Sequence, residues 1–385
     1  MGETMSGTDV QVNGHVKPGF EAVRDAFAAN WADGESELGA SVAVIHKGEM
    51  VVDIWGGHAD PERTVPWERD TIVNVWSTTK TMMFLVVLEL VDKGALKLTD
   101  PVAKFWPEFA ANGKEGIEIR HIMSHTAGLS GWEQPMTLDD FADFDKCASG
   151  LAAQAPWWEP GSASGYHAIT QGYLIGEVVK RVTGMTLGNY FRTTFAEPLG
   201  ADFHIGTPAE CDSRVSLNVP PPPLQIEGVA PDSISMRTFV NPIMDARVTW
   251  TMPWRRCESA AANGHGNARS VATLQSLISH RGEHGGKRYF SSGAVDAIFD
   301  VQAEGVDLVL NQPVKFGVGY GLNSEYSPVS PNPRACWWAG WGGSLVVNDL
   351  DAELTYAYAM NKMAVQLVGD LRAAGPLMAT YGVIA

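Results

Sequence analysis

Strand-forming runs at the two ends of the chain constrain its fold more than anything between them. Ser41-Val42-Ala43-Val44-Ile45 and Met50-Val51-Val52-Asp53-Ile54-Trp55 are β-rich and joined across Lys47-Gly48, the pattern of a hairpin. Near the opposite end, Ser344-Leu345-Val346-Val347 and Glu353 to Met360 flank the turn Asp349-Leu350-Asp351. Met363 to Leu371 then reads as a closing helix. Ahead of the first hairpin, Pro18 precedes a helical pattern in which Phe20, Val23, Phe27 and Trp31 share one face. The middle is different. Thr79 to Asp92, Ile119 to Ser124, Gln171 to Thr183 and Ser270 to Ser279 are helical by spacing. Irregular stretches separate them, among them the run Pro220 to Pro223, which fits neither a helix interior nor a central strand. The expectation is an α+β fold, with an antiparallel sheet flanked by helices and a mainly helical part inserted into it. Residues 1–86 and 286–385 form the sheet domain from both termini, and 87–285 form the helical domain.

Composition narrows the function. The chain has 385 residues, 45% of them hydrophobic, enough for a large core. Lys plus Arg number 28 against 44 Asp plus Glu, a net charge of −16. Such a chain is a poor partner for nucleic acid or an anionic membrane, which reward clustered cations. The first residues lack the basic-then-apolar order of a signal peptide. The longest apolar run, Met82 to Val91, holds Glu89 and is short of a membrane span. The four cysteines, at 147, 211, 257 and 336, never form CxxC and read as reduced thiols. A cytoplasmic location is expected.

The segment with most chemistry is Trp76-Ser77-Thr78-Thr79-Lys80-Thr81, which opens a helix. Ser77 and Lys80, three apart, lie on one face near its N-terminus. A buried lysine disfavours its charged form and can act as a neutral base, which activates a serine that is a weak nucleophile unaided. Alone the spacing is common, and a serine there is usually a cap. Three further segments add to it: Ile119-Arg120-His121-Ile122-Met123-Ser124-His125-Thr126-Ala127-Gly128-Leu129, Glu159-Pro160-Gly161-Ser162-Ala163-Ser164-Gly165-Tyr166, and Trp337-Trp338-Ala339-Gly340-Trp341-Gly342-Gly343-Ser344.

In this order and spacing the four segments resemble the class C β-lactamase-related superfamily of serine hydrolases, most of all the family VIII carboxylesterases. The resemblance runs from about Phe20 to Met363 and implies a β-lactamase-like fold. It implies that Ser77 is the nucleophile, Lys80 its motif partner and Tyr166 the general base and later acid. A phenol near a cationic lysine is expected to ionise more easily than usual. The oxyanion hole would use the backbone N–H groups of Ser77 and Trp341. Trp338, Ala339 and Gly340 would line the substrate, with Gly340 letting the strand approach the scissile carbonyl. Two departures stand out. Ala168 occupies the position of a common Asn, and Trp338-Ala339-Gly340 replaces Lys-Thr-Gly or His-x-Gly. A tryptophan cannot pair with the carboxylate of a β-lactam, so an esterase is favoured over a dedicated lactamase or peptidase.

Other candidates are weaker. His121 and His125 are i, i+4, but no Glu completes HExxH, so they are expected to be structural rather than to hold a metal. No cofactor is implied. His280 and His284 look like a helix end. Gly128-Leu129-Ser130-Gly131-Trp132 falls short of GxSxG, against a nucleophile elbow. Gly317-Val318-Gly319-Tyr320-Gly321 reads as a strand near the site. Trp250 and Trp254, with Trp337, Trp338 and Trp341, are expected to make a wide aromatic pocket. The expected activity is hydrolysis of a small-molecule carboxylic ester through an acyl-enzyme. Acyl transfer, amide or lactone hydrolysis with the same nucleophile, and a silent binding protein are the alternatives. The sequence carries no sign of oligomeric state.

Overall fold

The computed structural model describes residues 10–222, 230–366 and 369–385. Nine strands form one antiparallel sheet: β1 (Asn13–Val16), β2 (Gly39–His46), β3 (Glu49–Gly57), β4 (Ala303–Val306), β5 (Pro313–Phe316), β6 (Gly321–Leu322), β7 (Ala335–Ala339), β8 (Leu345–Asp349) and β9 (Leu354–Met360). Their spatial order is β1-β3-β2-β9-β8-β7-β6-β5-β4. The two ends of the chain therefore meet inside the sheet, where β9 pairs with β2 from Leu354↔His46 to Met360↔Ala40.

Alternation along β9 explains how both faces are covered. Thr355 Oγ1 meets Ser279 Oγ of helix α5 (Ala268–Ser279), and Ala357 on the same face is small enough for that helix to pack closely. Tyr356 and Tyr358 point the other way. Tyr356 Oη donates to Ala373 O of helix α6 (Leu371–Ile384), and the Tyr358 ring lies 6.4 Å from Phe27 of α1 (Glu21–Ala28). With helices on both faces, β2 is buried along almost its whole length, as its apolar run Val42 to Ile45 requires. Although α5 falls within 87–285, it packs against β2, β8 and β9.

Helix α2 (Lys80–Asp92) is buried from Lys80 to Leu90 and is apolar without a break from Met82 to Leu88. Helix α4 (Thr170–Thr183) packs against it, and α3 (Ile119–Met123) packs against α4. Among the described residues no helix is long and apolar enough to cross a membrane. The four cysteines are unpaired and buried.

Two sequence expectations need correction. Of the 317–321 segment only Gly321 is in a strand, the first residue of β6. Gly319 adopts φ +86°, and the chain turns there between β5 and β6. The closing helix does not occupy 363–371. Residues 363–366 are non-helical, 367–368 lie outside the described residues, and the helix begins at Leu371, where the Asp370 side chain caps the Arg372 N–H. Pro223 also lies outside the described residues.

Candidate active site

Ser77 sits in a 3₁₀ turn, Trp76–Thr79, that feeds directly into α2. Three residues complete a 3₁₀ turn, so side chains three apart eclipse one another. That geometry brings Lys80 Nζ within 3.1 Å of Ser77 Oγ. Tyr166 arrives from the loop before α4, and its Oη donates to Ser77 Oγ over 2.6 Å. The three sequence-predicted residues thus converge on one hydroxyl oxygen.

Lys80 is fully buried. Its Nζ also donates to Ala168 O at 2.7 Å and Ala261 O at 2.9 Å, and it stands 4.9 Å from the centre of the Tyr166 ring. Among the described residues no carboxylate offsets its burial, which pushes the ammonium well below the usual lysine value. Tyr166 moves oppositely to the expectation. Burial raises its pKa, the hydrogen bond to Ser77 and the nearness of the Trp338 indole only partly oppose this, and Asp307 raises it further. A lysine that itself resists charging gives the phenol little cationic help, so Tyr166 rests as the protonated donor.

Several groups that hold this arrangement were given no such role from sequence. Ala168, where a side-chain amide was noted as missing, contributes its carbonyl to Lys80. Ala261 does the same because Gly172 of α4 leaves room: a Cβ there would stand 2.5 Å from Ala261 N. Asp307 is buried, and its Oδ1 accepts the backbone N–H groups of Tyr166, Val309 and Leu310. That carboxylate ties the Tyr166 loop to a wall of the cavity. His125 and His167 are also buried. His125 Nδ1 accepts from His167 N, and the His125 ring stacks on Trp338 at 5.4 Å. Burial lowers both imidazoles, His167 to about 3, which keeps them neutral. His121 Nδ1 accepts from Glu118 N in a helix cap, as its structural reading implied. Carbonyls and cap geometry leave no residue-type signature, so only the aspartate could have been found by its chemistry.

On the far side of Ser77, β7 ends at Ala339. A Cβ on Gly340 would lie 2.1 Å from Val75 O, so only glycine allows the strand end this close to the Ser77 turn. Ser344 Oγ donates to Val75 O at 2.8 Å and meets Thr78 Oγ1 at 2.9 Å, pinning the two segments together. Between them, no acceptor for the Trp341 N–H is found among the described residues.

These groups open onto a cavity of about 1100 Å³ lined by Ser77, Tyr166, Ala168, Trp76, Trp337, Trp338, Ala339 and Trp341, with Phe239, Ile243, Met244, Leu310 and Phe316 beyond. The expected aromatic pocket exists, but two of its predicted members are elsewhere. Trp254 is 2% exposed. It packs behind Trp76 at 5.7 Å and donates to Asn74 Oδ1. Trp250 is 37% exposed and donates to Asn218 O. Neither lines the cavity, and Gly340 shapes it through backbone approach alone. Arg255 and Arg256 are outside it too, bound to Thr249 O, Thr207 O and Asp212. Lining cations Arg247 and Lys315 pair with Asp245 and Glu304.

A family model described as Beta-lactamase matches residues 23–375. The chain belongs to the beta-lactamase family. Among relatives in it, Esterase/beta-lactamase LipL of Mycobacterium tuberculosis (strain ATCC 25618 / H37Rv) is 32% identical over 370 residues, 93% of this chain and 85% of that one. Among solved structures, a family VIII carboxylesterase matches with TM-score 0.91 and 38% identity, covering 97% of this chain and 100% of the other. A penicillin-binding protein homologue from Caulobacter crescentus matches with TM-score 0.91 and 36% identity over the same shares. This beta-lactamase-family chain thus has the beta-lactamase-like α+β fold implied by its motifs, and its likeness to the family VIII carboxylesterases extends over nearly the whole molecule.

Proposed function

We propose that the chain is a serine hydrolase of carboxylic esters acting through an acyl-enzyme on Ser77. The observation that carries this is the placement of Ser77 Oγ within hydrogen-bond reach of both Tyr166 Oη and a buried lysine. With Lys80 neutral, its two N–H groups satisfy Ala168 O and Ala261 O, and its lone pair faces the Ser77 hydroxyl. Lys80 takes the proton as Ser77 Oγ attacks the ester carbonyl. The Ser77 and Trp341 N–H groups stabilise the oxyanion. Tyr166 protonates the departing alkoxide and recovers its proton from Lys80. Water then attacks the acyl-enzyme, its proton passing by the same pair back to Ser77. The lysine therefore replaces the tyrosine as the first proton acceptor, a shift from the sequence expectation supported by the opposite effects of burial on the two groups.

The esterase relatives and the family VIII carboxylesterase structure support an ester as the substrate class. A cavity of about 1100 Å³ exceeds what a short acyl chain fills. It leaves room for an alcohol beside the acyl-enzyme, which favours acyl transfer as the second reading. Product analysis with a competing alcohol decides between them. The unpaired, buried thiols support the cytoplasm as its location. The test of the main reading is turnover of p-nitrophenyl butyrate by wild type and Ser77→Ala, with intact-mass detection of a fluorophosphonate adduct. Loss of turnover and of the adduct is expected in the variant. Unchanged turnover would overturn the assignment.

A further inference from the structure

The turn after β7 carries the proposed oxyanion donor, and one buried arginine is among the groups that attach it to the rest of the fold. Gly342 O accepts Arg372 Nη2 at 3.1 Å and the Ala364 N–H at 2.8 Å. The other donors of Arg372 are engaged in the same knot. Nη1 reaches Ser36 O at 3.0 Å and Glu37 Oε1 at 3.2 Å, while Nε and Nη2 grip Asp370. Glu37 is fully buried, and its second oxygen accepts Tyr358 Oη. A guanidinium from α6, a carboxylate from the loop before β2 and a tyrosine from β9 therefore meet beneath the peptide next to Trp341.

Buried ion clusters are weak devices for stability, because desolvation offsets most of the attraction. This one has a geometric consequence instead. Gly343 packs so tightly on it that a Cβ would stand 2.1 Å from Asp370 Oδ2. At the opposite end of the turn, Gly340 N donates to Ser344 O at 2.8 Å, and Ser344 is fixed to Val75. Trp341 hangs between these anchors. A planar fork can span Gly342 O, Glu37 and Asp370 at once, which a lysine cannot.

We propose that Arg372 is a positioning residue for ester hydrolysis: by holding Gly342 O, the carbonyl of the residue after Trp341, it fixes the turn so that the Trp341 N–H meets the developing oxyanion. This rests on the reading of Ser77 and Trp341 as the oxyanion hole. Misplacing such a donor weakens the transition state and leaves ground-state binding alone.

The experiment compares wild type with Arg372→Lys on a p-nitrophenyl ester and on its thionoester, in which sulfur, a poorer acceptor, replaces the scissile carbonyl oxygen. Wild type is expected to prefer the oxo ester strongly. The variant, checked by a cooperative melt, is expected to lose roughly 10- to 100-fold in kcat with KM within about twofold, and its oxo-over-thiono ratio narrows. If the lysine variant does not fold, Asp370→Asn, which loosens Arg372 beneath Gly342 without removing it, is read the same way. A wild type without preference for the oxo ester overturns the oxyanion reading itself. A wild type that discriminates, beside a folded variant keeping full kcat and the full ratio, overturns the role of Arg372. So does a variant whose kcat and KM worsen together at an unchanged ratio.

Discussion

Burial decides which partner of Ser77 holds the proton, and this gives the chemistry a direction in pH. The Lys80 pKa is lowered, so the amine is neutral above it and charged below. Esterase kcat is expected to rise with pH as Lys80 deprotonates and then to level off, since the Tyr166 pKa is raised. Lys80→Arg keeps the charge at every accessible pH and is expected to lose about 10²- to 10⁴-fold in kcat without that rise. A profile unchanged by the substitution would put the base elsewhere. Carboxylate recognition belongs to the same scale. Trp338 offers no charge, and Arg247 and Lys315 already have acidic partners. Losing one charge-assisted donor costs about 1.5–3 kcal/mol, so nitrocefin is expected to show kcat/KM roughly 10- to 100-fold below a simple p-nitrophenyl ester. Comparable values would mean that Arg247 or Lys315 is released to bind it. Ser77, Lys80 and Tyr166 were legible because their chemistry depends on side-chain type. The Ala168 and Ala261 carbonyls were not, because every residue has one and only the fold selects which are used.

At the scale of elements, the approach of β7 to the Ser77 turn is the most demanding contact of the site. Gly340→Ala drives a methyl group into Val75 O. It is expected to destabilise the protein by about 1–3 kcal/mol and to lower ester turnover, measured by thermal melting beside kcat. Normal stability with normal turnover would show that the turn can relax away. Both hairpins, α2 and the paired N- and C-terminal edges were readable because period-two and period-3.6 patterns each match one backbone. The last helix was not. Gly375, Pro376 and Gly382 lie within it, and their weak propensity is overridden by its packing on α1 and Tyr356. Trp254 was misplaced for a related reason: an indole behind the cavity wall and one in it look alike along the chain.

For the whole molecule, the Glu37 knot ties stability to pH. Burial outweighs the attraction of Arg372, and the Asp370 charge adds to it, so the Glu37 carboxyl rises from 4.5 to about 7. A raised folded-state value means that the protonated form is the one folding favours. Its contribution is complete below 4.5 and is lost as pH rises toward 7, an effect on the order of 3 kcal/mol. Wild type is expected to lose melting temperature across that window relative to Glu37→Gln, whose amide does not titrate. Parallel curves would show that Glu37 stays ionised throughout.

The meeting of β2 and β9 has a consequence during synthesis. As the chain leaves the ribosome, β2 presents an unpaired edge that is closed only when Leu354 to Met360 emerge, long after β2 itself. Long-range pairing of this kind is slow and leaves nascent chains prone to association. A chain ending before Leu354 is expected to collect in the insoluble fraction without activity, although it contains Ser77, Lys80 and Tyr166, and soluble, active material would contradict this. A premature stop or frameshift ahead of β9 therefore leaves no partial enzyme, and catalysis becomes a report that the message was read at least through Met360.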